Sequence, residues 1–150
     1  MSDNYVILIP EDPHHVPARE RQQKALERFR EIAPRSREIK ATMTEAVRFF
    51  DCGGNFERIL CPNCGADIPV PWWRARMDSD YKAGFPLEKA ATPCCGVQHT
   101  LHELTYEWPQ GFGRFGIEAM NPNIGRLDDK LKVEFEQILG CSCRVIYQHI

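Results

Sequence analysis

Hydrophobic and polar residues alternate along this chain with two different periods, and the switches between them mark out most of its elements. Tyr5-Val6-Ile7-Leu8-Ile9 is an unbroken apolar run stopped by Pro10, Asp12 and Pro13. Such a run predicts a strand covered on both faces, hence central in a sheet. From Pro17 to Ala33 the period becomes helical: Ala18, Gln22, Ala25, Leu26, Phe29 and Ile32 share a stripe, and Arg and Glu fill the rest. Pro17 suits a first helical position and Pro34 ends the helix. Ser36 to Thr44 alternates, with Ile39, Ala41 and Met43 on one side and Glu38, Lys40 and Thr42 on the other, as a half-buried strand does.

The pattern then becomes less regular. Two extended runs, Ala46–Asp51 and Phe56–Leu60, flank Gly53-Gly54 and predict a hairpin. A helical start capped by Thr44 is the competing reading. Trp72 to Tyr81 fits a short helix after Pro69 and Pro71, and Thr100–Tyr106 a strand or short turn. Trp108–Gly113 reads as a breaker and Phe115–Met120 as a strand. Leu127, Leu131, Phe135, Ile138 and Leu139 recur at helical spacing within Ile124–Leu139, and Gly140 is placed to stop that helix. Cys143–Ile150 closes the chain as a last strand. With the middle removed, the order is β-α-β followed by β-α-β. Two such units predict an α+β, ferredoxin-like sandwich of four antiparallel strands under two helices, in a single domain spanning residues 1–150. The middle, about 46–113, is then an insert between the second and third strands.

Composition changes this picture little. The chain has 150 residues, 43% of them hydrophobic, which suits one domain with a real core. A net charge of −2 argues against bulk nucleic-acid binding, which shows a basic footprint. No apolar run approaches the ~18 residues of a membrane span, and Met1-Ser2-Asp3-Asn4-Tyr5 lacks the basic start of a secretory signal.

The cysteines change it more. There are seven, an odd number, and their spacing suits a metal better than disulfides, which points to a reducing, cytoplasmic setting. Cys61-Pro62-Asn63-Cys64-Gly65 places two thiols three positions apart on a turn closed by Gly, half the shell of a tetrahedral ion. Thr92-Pro93-Cys94-Cys95-Gly96 has the same ending, with Thr where a first cysteine would stand and an extra cysteine at 94. The expected site is therefore Cys61, Cys64, Cys94 and Cys95 around Zn²⁺. His99 is the replacement should Cys94 not bind, and His102 the next candidate. These two turns resemble the knuckles of zinc-ribbon proteins. The resemblance covers the insert alone and implies a structural metal and a surface that binds protein or nucleic acid.

Other chemistry is thinner. Asp12, His14 and His15 form a loop cluster. Cys141 and Cys143 stand in a CxC spacing that does not lower a thiol pKa as a CxxC at a helix start does. Cys52 has no identifiable base. P-loop, GxGxxG, GxSxG and HExxH patterns are missing from the sequence, and four nearby thiols leave no open position for a hydrolytic water, so a zinc-dependent hydrolase ranks behind the other readings. The leading expectation is a non-enzymatic, zinc-stabilised protein-binding module, an adaptor or an inhibitor of the immunity-protein type. Trp72, Trp73, Arg74 and Arg76 are its candidate surface. The alternative is a nucleic-acid-binding ribbon using the Arg-rich first helix with Arg74, Arg76 and Lys82. For the Trp pair, burial over the insert and sheet competes with exposure as a recognition patch.

Overall fold

The computed structural model describes residues 2–150. Strand β1 (Asn4–Pro10) lies between β7 (Gly111–Met120) and β8 (Cys143–His149), antiparallel to both. Strand β2 (Glu38–Phe50) pairs with the other side of β7, giving a four-stranded antiparallel sheet of order β2-β7-β1-β8. The apolar run of β1 is thus central, as its composition predicts.

Alternate residues of β1 serve different cores. Val6 and Leu8 point to one face, where Phe115, Ile117 and Ala119 of β7 meet Leu26 and Phe29 of helix α1 (Arg19–Ile32) and Phe135 and Leu139 of helix α3 (Asp129–Leu139). Phe29 and Phe135 join the two helices with ring centroids 5.2 Å apart. Ile7 and Ile9 point the other way, onto Phe50, Cys52 and Ile146. Among the described residues, none of those packed on this second face belongs to a helix. The chain leaving β2 passes over it instead: Cys52 is fully buried there, and Gly53 and Gly54 reach β8, where Gly54 N–H donates to the His149 carbonyl at 2.8 Å. Gly116 makes room for this arrangement, since a Cβ at that position would stand 2.6 Å from the Phe50 ring.

Residues 51–110 lie between β2 and β7 and form a second body of structure. Strand β3 (Arg58–Leu60) pairs with β6 (Thr105–Glu107), and β4 (Ala90–Ala91) with β5 (Gln98–His99). Helix α2 (Val70–Lys82) packs Trp72, Trp73 and Met77 against Ile59, Cys61, Ile68, Phe85 and Leu87. Val47 and Phe112 belong to the same core, so the far ends of β2 and β7 are shared with it.

Several boundaries differ from expectation. The expected hairpin over 46–60 does not form. Ala46–Phe50 continues β2 after a bulge between Met43 and Arg48, and its alternation is lost because Thr44–Val47 bulge opposite a short stretch of β7. Arg114 Nε donates to the Thr44 carbonyl at 3.1 Å, which satisfies part of that irregular backbone. Gly111–Gly113, expected to break the chain, is strand, so the intervening segment is 51–110 rather than 46–113. Helix α3 starts at Asp129, not Ile124, because Asp128 caps it by accepting from Leu131 N–H at 2.8 Å. Helix α1 begins two residues after Pro17.

Candidate metal centre

Each cysteine-bearing turn is a closed loop with the same hydrogen bonds. In the first, which follows β3, Cys61 N–H donates to Ala66 O at 2.9 Å and Gly65 N–H to Cys61 O at 3.0 Å. In the second, between β4 and β5, Thr92 N–H donates to Val97 O at 3.1 Å and Gly96 N–H to Thr92 O at 3.0 Å. Gly65 and Gly96 have φ of 74° and 78°, the left-handed conformation this turn demands. Position by position, Thr92 therefore matches Cys61, Cys95 matches Cys64, and Cys94 matches Asn63. The two turns are structural repeats in which one cysteine has moved by two residues.

The sulfurs of Cys61, Cys64, Cys94 and Cys95 converge regardless, all within 4.8 Å of one another. Cys61 and Cys95 are 3.7 Å apart. Cys61 is buried and the other three are exposed, so the cluster sits at the surface with its floor in the second core. Four convergent thiols could hold a metal ion. His99 is not in the group. It lies on β5 opposite Ala90, and its buried Nε2 has no hydrogen-bond partner among the described residues.

The surroundings favour thiolate at two of the four positions. Cys64 N–H points at the Cys61 sulfur and lowers its pKa, with help from the Asn63 N–H and the Thr92 hydroxyl. Val97 N–H, the Asn63 amide and the Thr92 hydroxyl bring Cys95 down to about 6. At Cys64 the N–H of Ala66 works the same way, yet the neighbouring sulfurs, Cys94 first, hold it as the thiol, raised to about 11. Crowded sulfurs cannot all carry charge without a cation among them.

Thr92 belongs to this cluster, although its side chain looks like a mere departure from the cysteine pattern. It is 3% exposed, and its Oγ1 lies 3.5 Å from Cys94 Sγ, 3.6 Å from Cys95 Sγ and 3.7 Å from Cys61 Sγ. The signal was present in the matching Pro-x-Cys-Gly endings, which put Thr92 in register with Cys61.

The other candidates are scattered. Trp73 is a packing residue: it stacks on Phe56 at 5.6 Å, and its indole N–H donates to Tyr106 Oη at 3.0 Å. Trp72 lies 5.9 Å from the Arg76 guanidinium, Arg76 donates to Glu88 O, and Arg74 is exposed. Asp12 caps a turn, accepting from His14 N–H at 2.9 Å. Cys141 and Cys143 have sulfurs 4.0 Å apart, and burial raises both thiols. Burial likewise raises Cys52 to about 11, and its Sγ donates to Gln110 Oε1 at 3.3 Å.

His102 has a structural task. Phe112 N–H donates to its Nδ1 at 2.9 Å, so the ring proton is on Nε2 and is donated to Glu11 O at 2.7 Å. Burial, and after it the Arg144 charge, hold this imidazole neutral, its pKa lowered to about 4. Arg144 forks onto the Glu11 carboxylate at 2.8 and 3.1 Å and donates to the carbonyls of His102 and Gln110. This network fastens segment 51–110 to β1 and β8, and nothing in the spacing of its members announces it.

No model of a known protein family, no curated protein sequence and no solved structure matches this chain.

Proposed function

We propose that this chain is a non-enzymatic binding protein in which a structural Zn²⁺ at Cys61, Cys64, Cys94 and Cys95 holds a zinc-ribbon-like insert on a ferredoxin-like host, and that its partner is another protein. The convergence of the four sulfurs carries the reading. With Zn–S bonds of about 2.3 Å, the edges of a ZnS₄ tetrahedron are about 3.8 Å, and Cys61 and Cys95 stand 3.7 Å apart. An all-thiolate set suits zinc, and four protein ligands leave no position for a reacting water. The metal would join two turns that belong to separate two-stranded sheets, β3-β6 and β4-β5, which is the use a small unit makes of a structural ion.

The strand order β2-β7-β1-β8, with both crossovers made by helices on one face, supports the ferredoxin-like host. Seven unpaired cysteines support a reducing, cytoplasmic setting. For the partner, the net charge of −2 favours protein over nucleic acid. An adaptor and an immunity-type inhibitor both fit. Elemental analysis of the purified protein tests the metal: one zinc per chain is expected, and none from Cys64→Ser. Titration with mixed DNA and RNA at low and high salt tests the partner class. No binding at low salt is expected, and salt-steep binding would transfer the reading to a nucleic-acid ribbon.

A further inference from the structure

A cleft of about 590 Å³ lies apart from the cysteine cluster. It opens between the start of β1, the loop from Asn121 to Arg126 and the end of β8, with Asn55 and Trp108 closing one side. Its volume is in the range of small-molecule sites, roughly 300–1,000 Å³.

Three features of its lining point to one kind of ligand. First, Arg126 is held without an acid. Its guanidinium sits 5.0 Å from the Trp108 ring centroid and 5.8 Å from that of Tyr147, and it takes part in none of the ion pairs among the described residues. Glu57, which lines an adjacent cleft with Arg126, accepts from the Trp108 indole N–H at 3.2 Å instead. Second, the loop carrying Arg126 is wound unusually: Asn121, Asn123 and Gly125 have φ of 49°, 55° and 66°. Left-handed non-glycine residues cost stability and gather at ligand-holding segments. Asn121 is fixed there, accepting from Asn4 N–H and donating to Asp3. Third, Tyr5, Trp108 and Tyr147 give the cleft half-buried aromatic walls.

We infer that this cleft binds a small, flat organic anion, an aromatic ring carrying a carboxylate or phosphate, with Arg126 taking the charge and the tyrosine and tryptophan rings taking the ring. A planar guanidinium already steadied on aromatic faces presents a fork of donors to such a group at little further ordering cost. The inference goes beyond the zinc-dependent reading and does not rest on it.

The probes are adenosine monophosphate and 1-naphthoate as flat anions, adenosine and 1-naphthalenemethanol as their neutral counterparts, and inorganic phosphate as the anion alone. Binding is followed by the Trp108 indole N–H resonance. At least one flat anion should bind saturably below millimolar, with its neutral counterpart and phosphate each roughly tenfold weaker or more. Arg126→Ala should remove the preference for the anion. Asn123→Asp, which places a negative charge on the rim in a residue that tolerates left-handed backbone, should weaken the anion and spare the neutral compound. Far-UV circular dichroism and metal content, unchanged in both variants, keep this result separate from the fate of the metal site. No saturation by either anion, equal binding of charged and neutral probes, or indifference to both substitutions would overturn the inference.

Discussion

A buried side chain acts here mainly through the groups it is forced to satisfy, and His102 and Thr92 show two versions of this. Neutral His102 accepts from one backbone N–H and donates to one carbonyl, so protonation breaks the first bond and buries a charge beside Arg144. Its native pKa of about 4 lies below the ordinary value of 6.5, so between these limits the unfolded chain binds a proton that the folded chain refuses. Stability from this residue is complete above about pH 6.5 and is lost as pH falls toward 4, on the order of 3 kcal/mol across the window. Glu11 adds to the acid side: burial raises its pKa, but the Arg144 fork outweighs burial and lowers it, so its contribution goes as pH falls below the usual carboxylate range. Urea unfolding between pH 7 and pH 4 should show the slope, and His102→Gln should flatten it while lowering stability at pH 7. An unchanged slope in that variant would refute the assignment. Thr92 Oγ1 faces three sulfurs, accepting from the Cys94 thiol and within reach of Cys61 and Cys95, to either of which its one proton can be donated, as an outer-shell group does for metal thiolates. Thr92→Val, which keeps shape and removes the donor, should weaken metal binding roughly tenfold or more, measured by competition with a chelator. Equal affinity would reduce Thr92 to a spacer.

At the scale of elements, the segment between β2 and β7 has too little regular structure to account for its own order. Strands β3 to β6 contribute two or three residues each, and only helix α2 is of ordinary length. Its remaining supports are the second core, the Arg144 network and the proposed metal, whose apparent binding free energy is about 10 kcal/mol or more in small zinc units. Cys64→Ser, or chelation of the wild type, should therefore collapse amide-exchange protection in β3, β4, β5 and β6. Protection in β1, β7 and β8, whose sheet is covered by α1 and α3, should survive. Uniform loss across the molecule would mean that the metal is not local in its effect. Elements with one clear pattern, the unbroken apolar run of β1 and the helical stripes of α1 and α3, were legible in the sequence because burial on one or both faces writes that pattern directly. The end of β2 was not. Four residues bulge within it, the alternation fails there, and Gly53-Gly54 looked like a hairpin turn when it is the strap that meets β8. The four cysteines were legible from spacing alone. The register of Thr92 with Cys61 was legible in the matching Pro-x-Cys-Gly endings, but its contact with the sulfurs was not, because a hydroxyl has no spacing rule; the Arg126 cleft was not legible, because its walls come from five separate stretches of the chain.

For the molecule as a whole, the question is whether the intervening segment is an appendage or part of one cooperative unit. The sheet argues for the latter, since β2 and β7 run beyond the helix-covered region and lend Val47, Phe49 and Phe112 to the second core. Phe112 is the hinge of this arrangement. It is fully buried on β7, lies 4.9 Å from Phe49 and 5.1 Å from Phe85 of the intervening segment, and its backbone N–H is the donor that fixes His102. Ile59 is equally buried, but on β3, away from the four-stranded sheet. Truncating a buried Phe costs roughly 3–5 kcal/mol and a buried Ile roughly 2–5 kcal/mol, so the two variants are comparable in size and differ in place. Phe112→Ala should lower exchange protection in β7 and in β3 and β6 together, with a single shifted melting transition. Ile59→Ala should lower it in β3 and β6 while β1 and β8 keep most of theirs. If Phe112→Ala instead leaves the four-stranded sheet as protected as the wild type, the two bodies are independent, and the β2–β7 extension carries no coupling between them.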